Sequence, residues 1–183
     1  HFASRAIGLD RLWPRAGHYM LEWDHAQTRQ VDQVIGAFFL IRRELFEALS
    51  GFDERFFVYF EEVDLAWRAR QAGWTSVYLA EARAYHKGGG TSSAVKDVRL
   101  FYSLRSRLQY GRKHFALPER LLLWAVSFAL EPLSRAVHLA LCRRWGEVKQ
   151  VAAAYAMLWR GRSSAPSDST GEPATSNHGK PVL

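Results

Sequence analysis

Three carboxylates, Glu61, Glu62 and Asp64, stand directly behind a run of aromatic and apolar side chains in the stretch "FFVYFEEVDLAWRARQAGW", residues 56–74. A carboxylate held against apolar walls is poorly solvated and short of hydrogen bonds, which is the condition in which it takes a proton from a hydroxyl. A helix starting near Glu61 places Glu62, Leu65, Ala66, Ala69 and Ala72-Gly73 on one stripe, and Glu61, Asp64, Arg68 and Gln71 on another. Glu62 is the lone charge on the apolar stripe and so the candidate base. The aromatic wall of Phe56, Phe57, Tyr59 and Phe60 is expected to desolvate it. Asp64 and Arg68, four apart, are expected to form an ordinary surface pair. Decoration of a helix N-terminus is the plain alternative for both glutamates, since the helix dipole favours acids there.

A second candidate group follows at His86. It closes a strand candidate and leads into Lys87, Gly88, Gly89 and Gly90, with Thr91, Ser92 and Ser93 behind. Backbone N–H groups of such a turn can approach a phosphate, and an imidazole can complete the shell of a divalent ion already held by carboxylates and pyrophosphate oxygens. A polar strand end beside a glycine turn is the plain alternative.

The elements that must position these groups read as an α/β alternation. Residues 1–33 are irregular; "VIGAFFLI" (34–41) is a continuous apolar run of the kind expected for a strand buried on both faces. A short helix, "RRELFEALSG", ends at Gly51, and the helix from about Glu61 to Ala72 ends at Gly73, both glycines suiting a left-handed C-cap. "TSVYLA" (75–80) is the next strand candidate. The pattern predicts a parallel or mixed sheet extending beyond the chain.

After residue 95 the texture changes. "KDVRLFYSLRSRLQYGRKHF" has Val98, Phe101, Leu104 and Leu108 at helical spacing among arginines, a basic amphipathic helix. Pro118 opens another helix, Pro132 interrupts the pattern, and a last helix carries Val148, Val151, Ala152, Tyr155 and Trp159 on one side. Residues 96–162 hold 13 Lys+Arg against 4 Asp+Glu, so the whole-chain charge of +7 belongs to this segment. The apolar stretch carries Glu131, Pro132 and Arg135 near its middle and falls short of the ~20 uncharged residues of a spanning helix, so lying on an anionic membrane is expected rather than crossing it, with ordinary packing on the rest of the chain as the alternative. The reading divides the chain into 1–95, 96–160 and a Pro/Ser/Thr/Gly-rich tail, 161–183, expected to be disordered.

With 48% hydrophobic residues in 183, the chain can bury a core of its own. One cysteine, Cys142, allows no intrachain disulfide, and a reducing cytosol fits. His1 stands where a Met would begin a complete chain, and no signal-peptide pattern follows, so a fragment is expected. The basic segment also admits a nucleic-acid-binding or a non-catalytic membrane-associated protein, although no DNA- or RNA-reading motif is present.

Taken together, "VIGAFFLIRRELFEALSGFDERFFVYFEEVDLAWRARQAGW" and "AYHKGGGTSS" resemble the second half of a family 2 glycosyltransferase, and within that family the bacterial rhamnosyltransferase-like group. The resemblance covers roughly residues 31–93 and implies a partial GT-A, Rossmann-like fold lacking its nucleotide-binding first half. It implies an inverting enzyme that moves a sugar such as rhamnose from a nucleotide-diphosphate donor to a cell-envelope glycan or lipid-linked acceptor. Glu62 is then the base, with Glu in a place where many members have Asp. His86 is a ligand of Mg²⁺ or Mn²⁺, and the two share one sugar-binding hollow. Gly36 and Ala37 shape the acceptor side, while Asp53, Asp64 and Arg68 act as scaffolding or acceptor contacts. The resemblance further places the protein on the cytoplasmic face of a bacterial plasma membrane. The DxD carboxylates that hold the metal in the family are missing, "LDRLW" and "EWDHAQ" offering only isolated aspartates, so the chain alone is expected to be inactive.

Overall fold

The computed structural model describes residue 20, residues 23–86 and residues 95–161. Lys87, Gly88 and Gly89 of the candidate phosphate turn, and the tail beyond 161, lie outside the described residues.

The sheet is smaller than the sequence suggests. Strand β1 (Arg29–Val31) pairs antiparallel with β2 (Ser76–Tyr78), Gln30 facing Val77, and no parallel pair occurs among the described residues. Trp23, His25 and Tyr78 form a ring cluster beside the pair, with the Arg29 guanidinium 4.4 Å above Trp23. The apolar run 34–41 does not form a strand. It turns at Ile35–Phe38, and Ile35, Phe38 and Leu40 are exposed. No described strand lies beside it, and a strand without a neighbour leaves its backbone donors and acceptors unpaired, so apolar content alone cannot make it extended.

The helices largely follow their sequence signals. Helix α1 (Arg43–Ala48) gives way to Gly51 at φ +68°, whose N–H reaches back to the Phe46 carbonyl at 2.8 Å. Helix α2 (Glu61–Gln71) ends before Gly73 at φ +83°. Both glycines supply the left-handed step that a side chain resists. An ion pair from Arg70 to Asp32, at 2.6 Å, ties α2 to the end of β1.

Helix α3 (Lys96–His114) is the centre of the packing. Its Phe101 and Tyr102 form a buried cluster with Ala154 of α6 (Trp145–Trp159), and Val58 and Tyr59 lie against that cluster. Contacts therefore cross the boundary read at residue 95. On α6 the inward position is Ala154, with Val148, Val151 and Tyr155 partly buried, whereas Ala152 and Trp159 of the expected stripe face out.

Between α3 and α6 the chain stays helical where Pro132 was expected to interrupt it. Helix α4 (Leu117–Ala125) passes into a π-helical turn (Val126–Leu130) and then into α5 (Glu131–Leu141). Pro132 falls in the first turn of α5, where its missing N–H costs least. The turn buries Ser127 and sets Glu131 inside, and Arg107 of α3 and Arg135 of α5 both hold the Glu131 carboxylate. Arg107 also donates to the Ser127 hydroxyl and the Tyr155 hydroxyl to the Ser127 carbonyl, each at 3.0 Å, so one polar clasp joins three helices. Among the described residues, no helix is long and apolar enough to cross a membrane.

Candidate active site

The backbone leading into α2 is unusual. Tyr59 and Phe60 stand consecutively at φ +66° and +71°, a left-handed conformation that costs a residue with a large side chain roughly 1–3 kcal/mol. Neighbouring contacts offset that strain. The Ser106 hydroxyl of α3 donates to the Val58 carbonyl at 2.8 Å, the Phe60 ring lies 5.7 Å from that of Tyr110, and the Asp64 N–H closes onto the Phe60 carbonyl at 2.9 Å. Two of the aromatics expected to wall in Glu62 thus turn toward α3 instead.

The reversed step aims the first turn of α2 into an open hollow of about 570 Å³. Glu61 and Glu62 line it together with Gly36, Asp53, Phe56 and Phe57. One carboxylate oxygen of each glutamate, Oε2, is enclosed by protein and has no hydrogen-bond partner among the described residues. Burial pushes the Glu61 carboxyl above its ordinary range, and the negative charge of Glu62 adds to the push. Gly36 lies flat against Glu62: a methyl group there would meet the Glu62 side chain at 3.7 Å, an ordinary contact. Ala37 is exposed in the same turn.

Asp64 does not make the surface pair that its spacing with Arg68 suggests. Its carboxylate is fully buried and meets three nitrogen groups: Arg68 Nε at 2.7 Å, Lys113 Nζ at 2.6 Å and His114 Nε2 at 2.7 Å. Burial disfavours its charge, but the hydrogen bonds from Lys113, His114 and Arg68 outweigh that and hold its pKa below the ordinary 3.8. Arg68 also donates to the carbonyls of Leu49 at 2.5 Å and Gly51 at 2.7 Å. Lys113 reaches on to Asp53 at 2.7 Å. Arg55, with Lys113, holds the Asp53 carboxyl well below the usual range. The network therefore joins α2, α3 and the loop after α1, and that loop forms one wall of the hollow.

The structure thus brings Gly36, Asp53, Glu61 and Glu62 to one concavity and puts Asp64 and Arg68 behind it. His86 is exposed and does not line it. Among the described residues no group of three or more His, Cys, Asp and Glu side chains is placed to hold a metal ion, so these residues by themselves do not make a metal site. Lys113 and His114 are the residues that sequence reasoning missed. They sit in the last turn of a helix whose basic face reads as solvent- or membrane-directed, and only their neutral-making partner, a buried acid, could have singled them out.

A hollow lined by paired acids can accept hydrogen bonds from a polar ligand, and comparison with known proteins gives the chain a family. The family model described as glycosyltransferase-like family 2 matches residues 11–111, more than half of the chain. The chain is 41% identical over 81 residues to an N-acetylglucosaminyl-diphospho-decaprenol L-rhamnosyltransferase of Mycobacterium tuberculosis, a match covering 43% of this chain and 26% of that protein. It is 42% identical over 65 residues to the O-antigen biosynthesis protein RfbC of Myxococcus xanthus, covering 36% of this chain and 5% of that protein. The chain therefore spans about a quarter, or less, of the length of these relatives. No solved structure matches it significantly. By the extent of the family match, the chain belongs to glycosyltransferase-like family 2.

Proposed function

We propose that this chain carries the acceptor-side catalytic segment of an inverting glycosyltransferase, with Glu62 as the base. The observation that carries the proposal is the Glu62 side chain on the wall of an open hollow of about 570 Å³, beside Glu61 and Asp53. An acceptor hydroxyl seated there gives its proton to Glu62 as its oxygen bonds to the anomeric carbon of the donor sugar. The bond from that carbon to the diphosphate oxygen breaks on the opposite face, and configuration inverts. Glu61, whose carboxyl burial pushes above its ordinary value, lines the same wall and is placed to hydrogen-bond a neighbouring sugar hydroxyl. The buried Asp64 network holds the loop and helix that carry these groups.

The M. tuberculosis relative's name specifies a sugar on a lipid diphosphate as acceptor and rhamnose as the sugar transferred. We assign the same classes here: a nucleotide-diphosphate sugar donor and a lipid-diphosphate-linked acceptor of cell-envelope synthesis. Enzymes of this family commonly use a divalent cation, and the resemblance names His86 as its contact; the described residues supply no such site, and no step above depends on one.

The helices after α3 support placement at a membrane surface. Leu130, Leu133, Val137 and Leu141 share one face of the π turn and α5, and all are exposed, as is Trp145. Exposed Arg143 follows this apolar face directly in the chain, a combination matched by an anionic bilayer.

The decisive experiment is Glu62→Gln in the transferase that carries this segment. Gln keeps size and loses the base, so kcat is expected to fall about 10²–10⁴-fold with little change in acceptor KM. Transfer at the unaltered rate would show that the hollow serves a non-catalytic role.

A further inference from the structure

A second hollow, about 410 Å³, lies beside the first and is lined by Arg55, Arg105, Gln109, Arg112 and Lys113. Four of these come from α3 at positions i, i+4, i+7 and i+8, which one helix face presents together. The two hollows share a wall. Asp53 lines the first, and its ion-pair partners Arg55 and Lys113 line the second. Those pairs leave the other two arginines: among the described residues neither Arg105 nor Arg112 is in a salt bridge, and the buried Arg105 Nη1 has no hydrogen-bond partner. Guanidinium donors crowded into a hollow without a lining carboxylate call for an anion with several acceptor oxygens.

Beyond this hollow the surface turns apolar. The Arg112 guanidinium stacks on Trp124 at 5.2 Å, and Trp124 shares a face of α4 with exposed Leu117 and Leu121. The order across the surface is therefore acid pair, cation cluster, apolar stripe.

We propose that the basic hollow seats the diphosphate of a lipid-linked acceptor. The phosphates lie against Arg105 and Arg112, the sugar reaches across the Asp53 wall toward Glu62, and the first prenyl units follow Leu117, Leu121 and Trp124. This rests on the transferase reading for the identity of the ligand, but its test does not use transfer.

Isothermal titration of the 183-residue chain with inorganic pyrophosphate, farnesyl diphosphate, a nucleoside diphosphate and inorganic phosphate tests it. Saturable binding is expected for the first two, tighter for farnesyl diphosphate. Arg105→Gln is expected to weaken it about ten- to a hundredfold, the cost of a lost charge-assisted hydrogen bond, and Arg105→Lys to restore part. Arg112→Gln is expected to act similarly, with thermal melts confirming that each variant is folded. Absent saturable binding, binding indifferent to both substitutions, or preference for the nucleoside diphosphate over farnesyl diphosphate would each overturn the assignment. So would co-sedimentation with phosphatidylglycerol vesicles that depends on these arginines when pyrophosphate does not bind, since the hollow would then serve headgroups. Transfer that survives Glu62→Gln would remove the proposed base and leave this seat standing, and arginine-independent binding would do the reverse.

Discussion

Replacing Asp64 by Asn tests the scaffold behind the hollow most directly. The substitution keeps the shape of the side chain and removes the anion that three groups share. Asp64 is fully buried, while Lys113 and His114 are about 22% and 10% exposed, so little water can replace it. Breaking a buried ion pair by removing one partner costs about 3–5 kcal/mol, because the other charge is left uncompensated. Two of the partners retain other contacts here: Lys113 keeps Asp53, and Arg68 keeps the Leu49 and Gly51 carbonyls. The lower end of the range, about 3 kcal/mol at pH 7, is therefore expected. Urea unfolding followed by tryptophan fluorescence suits the measurement, since Trp67 sits 5.9 Å from His114 and reports on this corner. The sign of the pH dependence follows from the lowered pKa. A carboxyl whose folded-state pKa lies below its ordinary 3.8 contributes stability that is present above that value and lost as pH falls through the folded pKa. The gap between wild type and Asp64→Asn should thus be constant near neutrality and shrink on acidification below 3.8. A loss under about 1 kcal/mol at pH 7, or a gap that persists unchanged in acid, would refute the buried-hub account.

Other outcomes follow from the same contacts. Ser106→Ala removes the hydroxyl that holds the Val58 carbonyl; it is expected to cost about 1–3 kcal/mol and to slow transfer by loosening the left-handed step before Glu61, which paired stability and kcat measurements would detect. Gly111→Ala drives a methyl into a Leu123 methyl between α3 and α4, so the ~1 kcal/mol gain in helix propensity should be reversed by overpacking, and adding Leu123→Ala should relieve the clash; thermal melts of the single and double variants decide this. Leu133→Ser with Leu141→Ser should reduce flotation with phosphatidylglycerol vesicles while leaving the melting temperature nearly unchanged, and unaltered flotation would exclude this face as the membrane contact. The purified 183-residue chain, which lacks DxD, is expected to show no turnover with a sugar nucleotide and acceptor, and measurable turnover would overturn that expectation.

What the sequence determined by itself is local. The bounds of α1 and α2 follow from apolar spacing and from Gly51 and Gly73, because a left-handed C-cap needs only the residue that adopts it. The place of Glu62 in the first turn and the amphipathic course of α3 come from the same short-range periodicity, as does the family resemblance, carried by a contiguous motif. Tertiary structure decided everything that requires a partner distant in the chain. The run 34–41 has strand composition but no strand beside it among the described residues, and hydrogen-bond pairing is a property of two segments. Asp64 and Arg68 look like a solvent pair until Lys113 and His114, about fifty residues on, close over them. Likewise the two aromatics before Glu61 turn to α3 because Ser106 and Tyr110 are there to receive them, and that contact aims the acids into the hollow. Helical periodicity assigns a residue to a face; which faces meet is fixed only when the whole chain has packed.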